Sequence, residues 1–145
     1  MIGKNSHMKS LLAFLLLACF SCSCSSEENP SRTDENLVQN LSTGQWAISS
    51  FVENGLERGG DFAGVDFSFF PNGQIEAYRG TQLLGQGSWS SGNAVRRIEV
   101  RISFPSGSPF VDLNADWYQV FIRLNRIQLR NTRIDSDDFL ILQRR

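Results

Sequence analysis

From Trp46 onward, apolar and polar residues alternate with a period of two. In Ile98-Glu99-Val100-Arg101-Ile102-Ser103-Phe104 the alternation is strict, which predicts a strand with one buried face and one wetted face. Val65, Phe67 and Phe69 alternate with Asp66 and Ser68, and Ile75 and Ala77 with Gln74 and Glu76. Tyr118, Val120, Ile122 and Leu124 share a parity, and Ile127 and Leu129 follow. In the first strand Trp46, Ile48 and Val52 share a face while Phe51 breaks it, the mark of a bulge. Phe139 to Leu142 is apolar on both faces.

Turn chemistry separates these runs. Asn54-Gly55 and Pro71-Asn72-Gly73 are the strongest signals, because Asn and Gly accept the positive φ of tight hairpins. Gly80, Ser91-Gly92-Asn93 and Asn125 are weaker ones, and Asp135-Ser136-Asp137-Asp138 bounds the last strand. Pro105 to Asp116 is long enough for an irregular crossing or one helical turn. The count is about eight short antiparallel strands, which predicts an all-β domain closed into an up-and-down barrel; a two-sheet sandwich fits the same periodicity.

The first residues follow different rules. Lys4 and Lys9 flank the start of an apolar run, Leu11 to Leu17, and Ala18-Cys19-Phe20-Ser21-Cys22-Ser23-Cys24 comes next. A positive end, a short apolar core and small residues at the exit read as a cleaved secretory signal. The run is shorter than the about 20 residues that span a bilayer. A cysteine at the cleavage point makes it a lipoprotein signal with the thiol as the acyl site. Leu16-Leu17-Ala18-Cys19 fits best, so Cys19 is the expected anchor; with translation starting at Met8, Cys22 becomes competitive, and Cys24 is third. Residues 1–24 are therefore read as signal peptide and lipobox, 25–40 as a polar, flexible tether, and 41–145 as the domain. The leader resembles those of bacterial lipoproteins, and Ser25-Ser26-Glu27-Glu28 resembles the acidic export signal of surface lipoproteins in Bacteroidota. The implied place is the cell envelope: the outer membrane, lipid-anchored, on its surface or its periplasmic face.

Composition narrows the chemistry. All three cysteines, both lysines and the one histidine lie in the leader. No disulfide can brace the domain, so its core must hold it. From Leu41 on there are eleven arginines and eleven carboxylates, which gives no basic excess for nucleic acid.

Gly44-Gln45-Trp46 opens the first strand. This Gly-x-Trp, with Glu53-Asn54-Gly55, Phe67-Ser68-Phe69-Phe70-Pro71-Asn72-Gly73, Gly87-Ser88-Trp89 and Asp112-Leu113-Asn114-Ala115-Asp116-Trp117, resembles small lipocalin-like lipoproteins of the Bacteroidota type. The resemblance spans most of Leu41 to Arg145. It implies a barrel with Gly44, Trp46, Phe67, Phe69, Trp89 and Trp117 as motif and core. It also implies an arginine from the last strand over Trp46, with Arg144 the candidate and Arg130 the alternative. There is no Thr-Asp-Tyr motif unless Ala115-Asp116-Trp117 stands for it, and no helix signal after the last strand.

Three constellations could carry function. The three tryptophans with the phenylalanines either line a pocket for a flat apolar ligand or simply fill the barrel. Arg97, Arg101, Arg123 and Arg130, with Arg126 and Arg133 nearby, either bind carboxylate or phosphate or form a solvated face paired with acids. Asp135, Asp137 and Asp138 resemble half a calcium loop but lack its glycine and distal glutamate, so a turn is the expectation. No metal or cofactor is expected. The domain holds no histidine or cysteine for nucleophilic catalysis, and Asp112 with Asp116 is the remaining acid–base pair; no enzyme is expected. The function implied is a lipid-anchored, non-catalytic binding module for a small apolar or amphiphilic ligand. The alternative is a filled barrel that binds a protein as assembly factor or inhibitor, with Phe110 and Val111 in its contact loop.

Overall fold

The computed structural model describes residues 34–94 and 97–145, and the lipidation candidates Cys19, Cys22 and Cys24 lie outside them. An α-helix, α1 (Asp34–Leu41), precedes nine strands. These are β1 (Trp46–Glu53), β2 (Leu56–Glu57), β3 (Asp66–Phe69), β4 (Gln74–Arg79), β5 (Gln82–Ala94), β6 (Arg97–Ser103), β7 (Ala115–Arg123), β8 (Arg126–Asn131) and β9 (Phe139–Arg144). Every pairing is antiparallel, from β1–β3 through β8–β9, and β1 pairs back onto β9 to close an eight-stranded up-and-down barrel. Closure decides against the sandwich and leaves only the short β2 outside the ring.

The barrel has a near end, where α1 lies beside β5, the start of β1 and the β7–β8 turn, and a far end, where the segment 104–114 and the β8–β9 loop lie. Helix α1 covers the last part of the stretch read from composition as a tether, 25–40, and the first residue of the domain, Leu41. Leu37 and Leu41 are fully buried and Val38 packs against the same core, an apolar i, i+1, i+4 set that fits a helix face. Burying the two leucines contributes roughly 1.5–3 kcal/mol each, enough to hold eight residues that would be marginal as an isolated helix. The Thr43 hydroxyl donates to Gln39 O at 2.7 Å, and Gly44, at φ +82°, turns the chain into β1.

Bulges set which residues face inward. The β1–β9 register shifts between Ile48 and Ser50, so Trp46, Ile48 and Phe51 all point into the core. This is the bulge expected at Phe51, with Phe51 rather than Val52 continuing the inner face. In β7 the shift falls between Gln119 and Phe121. Trp117 and Gln119 are buried, while Val120 is 39 % exposed and Leu124 80 %. That corrects the parity read for Tyr118, Val120 and Leu124; only Ile122, beyond the bulge, packs on the core. Ser91-Gly92-Asn93 is not a turn but lies within β5, paired with Ile98 to Val100.

The far half of the barrel is filled by rings. Phe110 lies 5.4 Å from both Phe67 and Phe104, and Phe62 lies 5.5 Å from Phe51. Trp117 stands edge-on to Phe51 at 6.3 Å, and Trp89 to Phe69 at 5.4 Å. Two glycines of β5 make room for this packing. A Cβ on Gly85 would meet the Phe110 ring at 3.1 Å, and one on Gly87 would meet Ser103 O at 2.4 Å and the Phe104 ring at 2.9 Å.

Candidate functional site

The near end is locked rather than open. Trp46 is fully buried and donates its indole N–H to Leu41 O at 2.9 Å, joining the end of α1 to the first strand. Its register partner on β9 is Arg144, whose guanidinium lies 4.8 Å from the Trp46 ring centroid. The same guanidinium donates to Asn40 O at 2.9 Å and to Asn40 Oδ1. A cation beside the last carbonyls of a helix is favoured by the helix dipole. Gly44 sits against this arginine, since a Cβ there would touch Arg144 Cδ at 3.8 Å. Arg144, not Arg130, thus covers the tryptophan. Trp46, Phe67, Phe69, Trp89 and Trp117 are all core residues.

The far end holds an open cleft of about 380 Å³ whose floor is Phe51 and Trp117 and whose walls include Glu53, Asp112, Asp116 and Asp138. Its walls are tied by charge. Arg58 donates to Glu53 at 2.5 Å, to Asp61 at 3.0 Å and to Asp112 at 2.8 Å, and its guanidinium lies 5.9 Å from the Phe51 ring centroid. Those partners, Asp112 first, raise the Arg58 pKa further above its usual range. Arg101 grips Asp116 with two hydrogen bonds, at 2.5 and 3.2 Å, which hold that carboxyl below the usual carboxylate range. Asp138 is 4 % exposed and accepts from Asn54 N at 2.6 Å and from Arg133 at 2.7 Å. Asn114 makes two hydrogen bonds to the Phe104 backbone, at 2.6 and 2.9 Å, and so fixes the segment that carries Asp112.

That segment, Pro105 to Asp116, contains the single helical turn expected of it, Val111–Leu113. Its role differs from the expected contact loop. Phe110 is 4 % exposed and belongs to the core, so only Val111, 41 % exposed, faces solvent. Other apolar side chains stand around the far rim: Leu56 at 67 % and Ile134 at 92 % exposure. Periodicity could not single these out, because Leu56 lies in the two-residue β2 and Ile134 in a turn.

The arginines do not converge on one anion site. Arg97 pairs with Glu99 at 2.6 Å and lies over Tyr118; Arg101 pairs with Asp116; Arg130 pairs with Asp137. Arg123 is separate, at the β7–β8 turn, with its guanidinium 5.2 Å from the Phe121 ring centroid. The aspartates of the last loop also have divided tasks, since Asp137 and Asp138 answer different arginines and Asp135 takes a positive φ of 65°. Among the described residues no group of three carboxylates converges as a metal site would require. Neither the protein-family models nor the curated proteins contain a match to this chain.

Proposed function

We propose that this chain is a lipid-anchored, lipocalin-like barrel of the cell envelope that acts as a non-catalytic protein-binding module through its far rim. The observation that carries the reading is the exposure of Leu56, Val111 and Ile134 at the far end, where Val111 lines a cleft whose charged walls are already paired. An apolar tip set among satisfied polar groups is the composition of a protein-binding surface, with anchors inside a polar surround. A small apolar ligand inside the barrel fits less well, because the Phe51, Phe62, Phe67, Phe104, Phe110 and Trp117 rings occupy the axis it needs. Catalysis by Asp112 and Asp116 also fits poorly. A general acid needs a raised pKa, and Arg101 lowers that of Asp116.

The anchor rests on Lys4, Lys9, the Leu11 to Leu17 run and Cys19. Helix α1 brings the chain in at the near end, so the far rim points away from the point of attachment.

Two measurements test the reading. Native mass spectrometry after exposure to an envelope lipid extract should return the bare protein mass, and a retained lipid favours the ligand function instead. A photo-crosslinking residue placed at Val111 or Ile134 should trap one defined protein in intact cells, while one at the exposed Asn72, in the β3–β4 turn at the opposite end of the barrel, should not. Equal or no adducts at all three positions refute the rim as the binding face.

A further inference from the structure

At the near end the β7–β8 hairpin ends in Arg123-Leu124-Asn125-Arg126. Arg123 and Arg126 are direct register partners. Like charges opposite one another across a hairpin are destabilising, and among the described residues neither arginine forms an ion pair. Between them Leu124 is 80 % exposed. The tip is therefore basic and apolar at once, in a domain whose surface arginines at 58, 97, 101, 130, 133 and 145 are matched to acids and where Arg79, at the β4–β5 turn, is the other one without an ion pair among the described residues.

Beside the tip a groove of about 380 Å³ runs against α1, with Ile122 and Leu124 as its apolar part and Arg123 and Arg144 as its charged part. The two elements are fixed to one another, because Asn40 donates its side-chain amide to Arg123 O at 3.3 Å. Helix α1, the first described element, lies at this same end. The helix itself offers no apolar face to a bilayer, since Leu37 and Leu41 are turned inward.

We propose that the β7–β8 tip, through Arg123, Leu124 and Arg126, seats on an anionic phospholipid surface. The guanidiniums match the phosphates, and Leu124 matches the hydrocarbon just beneath them. Such a contact would fix the tilt of the domain, so that the far rim faces away from the membrane. The inference rests on the lipid-anchored reading only for delivery of the tip to the surface.

The test uses the full protein as purified from cells, on vesicles of equal parts phosphatidylcholine and phosphatidylglycerol. Leu124→Trp places a reporter at an exposed position where the fold is not at stake, and the buried Trp46, Trp89 and Trp117 give a constant background. Emission from position 124 should shift to the blue and be quenched by brominated lipid, on mixed vesicles but not on phosphatidylcholine alone. An arginine near such a surface contributes roughly fivefold in occupancy, so adding Arg123→Gln and Arg126→Gln together should lower the docked-to-undocked ratio roughly thirtyfold, and high salt should act in the same direction. Co-sedimentation reads the anchor separately. Protein that sediments with mixed vesicles while position 124 stays wet overturns the docking and leaves the anchor intact. Protein that does not sediment with phosphatidylcholine vesicles overturns the anchor, and the docking is then decided by whether mixed vesicles dry position 124. A reporter already dry in vesicle-free protein that runs as a dimer also overturns the proposal, because the tip is then an interface between copies.

Discussion

Removing the Arg144 guanidinium is the sharpest test of how the near end is closed. In Arg144→Met the aliphatic stem is kept and the charge is lost. The cation–π contact with Trp46 at 4.8 Å, partly buried, is worth about 1 kcal/mol. The hydrogen bonds to Asn40, made by a charged donor, are worth about 1.5–3 kcal/mol. Against these stands the Arg144 Nε, buried without a partner, whose removal returns about 1 kcal/mol. The net expected loss is about 1.5–3 kcal/mol, a sizeable part of a stability of about 5–15 kcal/mol. For a domain of this size that is a fall of roughly 10 °C in Tm. Urea denaturation followed by far-UV circular dichroism gives the number directly. The control is Arg130→Met, whose Asp137 partner is highly exposed and whose loss should cost about 0–1 kcal/mol. Equal effects of the two variants, or a change below about 0.5 kcal/mol in Arg144→Met, would refute the lock. Arg144→Lys should rescue little, since an ammonium has no planar fork to reach Asn40 while covering the ring.

Other expectations follow from the same packing. Gly87→Ala should cost about 1–3 kcal/mol, because its methyl must enter space held by Ser103 O and the Phe104 ring; an unchanged urea midpoint rules out the notch. Gln119→Met should raise stability, by about 1–2 kcal/mol, since Gln119 Oε1 is buried with no partner; a lower midpoint means that the amide is doing something this packing does not show. The Asp116 and Glu57 carboxyls are held below their ordinary range, by Arg101 and by the Ser50 hydroxyl with the Phe51 and Gly59 amides. A lowered folded pKa adds stability above the unfolded value, and that stability is lost as the pH falls through the folded one. Stability should thus decline below the usual carboxylate range, and less steeply in Asp116→Asn with Glu57→Gln; identical acid profiles of variant and parent would refute the assignment.

The strands were legible because one face of each is buried, which writes a period of two into the residues. The tightest turn was legible too: Asn54 and Gly55 both adopt the positive φ that their types permit, at 51° and 78°. What the sequence hid was decided in three dimensions. The β7 bulge turned Gln119 inward and Val120 outward, and there, unlike at Phe51 in β1, no break in the alternation announced the shift. Helix α1 was masked by the polar residues around Leu37, Val38 and Leu41, which mattered less than the core face those three complete. Phe110 lies in a loop of turn residues, where the protein-binding alternative puts it on the surface, yet Gly85 on β5 clears a seat for it. The arginines were visible as a set, but their partners were not, because Arg101–Asp116 and Arg58–Asp112 join residues that only the folded chain brings together.

The wall of the barrel has its seam between the first strand and the last. Trp46 pairs with Arg144, and β1 meets β3 over only two register positions, so most of the grip on β1 comes from β9. The ring therefore cannot close until the final residues have been made and delivered. A chain emerging from synthesis or export carries two raw edges, on β1 and β8, for almost its whole passage, and each edge can recruit a stranger's strand. Truncation even a few residues short of Arg144 should leave that state permanent, turning an orderly barrel into a seed for aggregation.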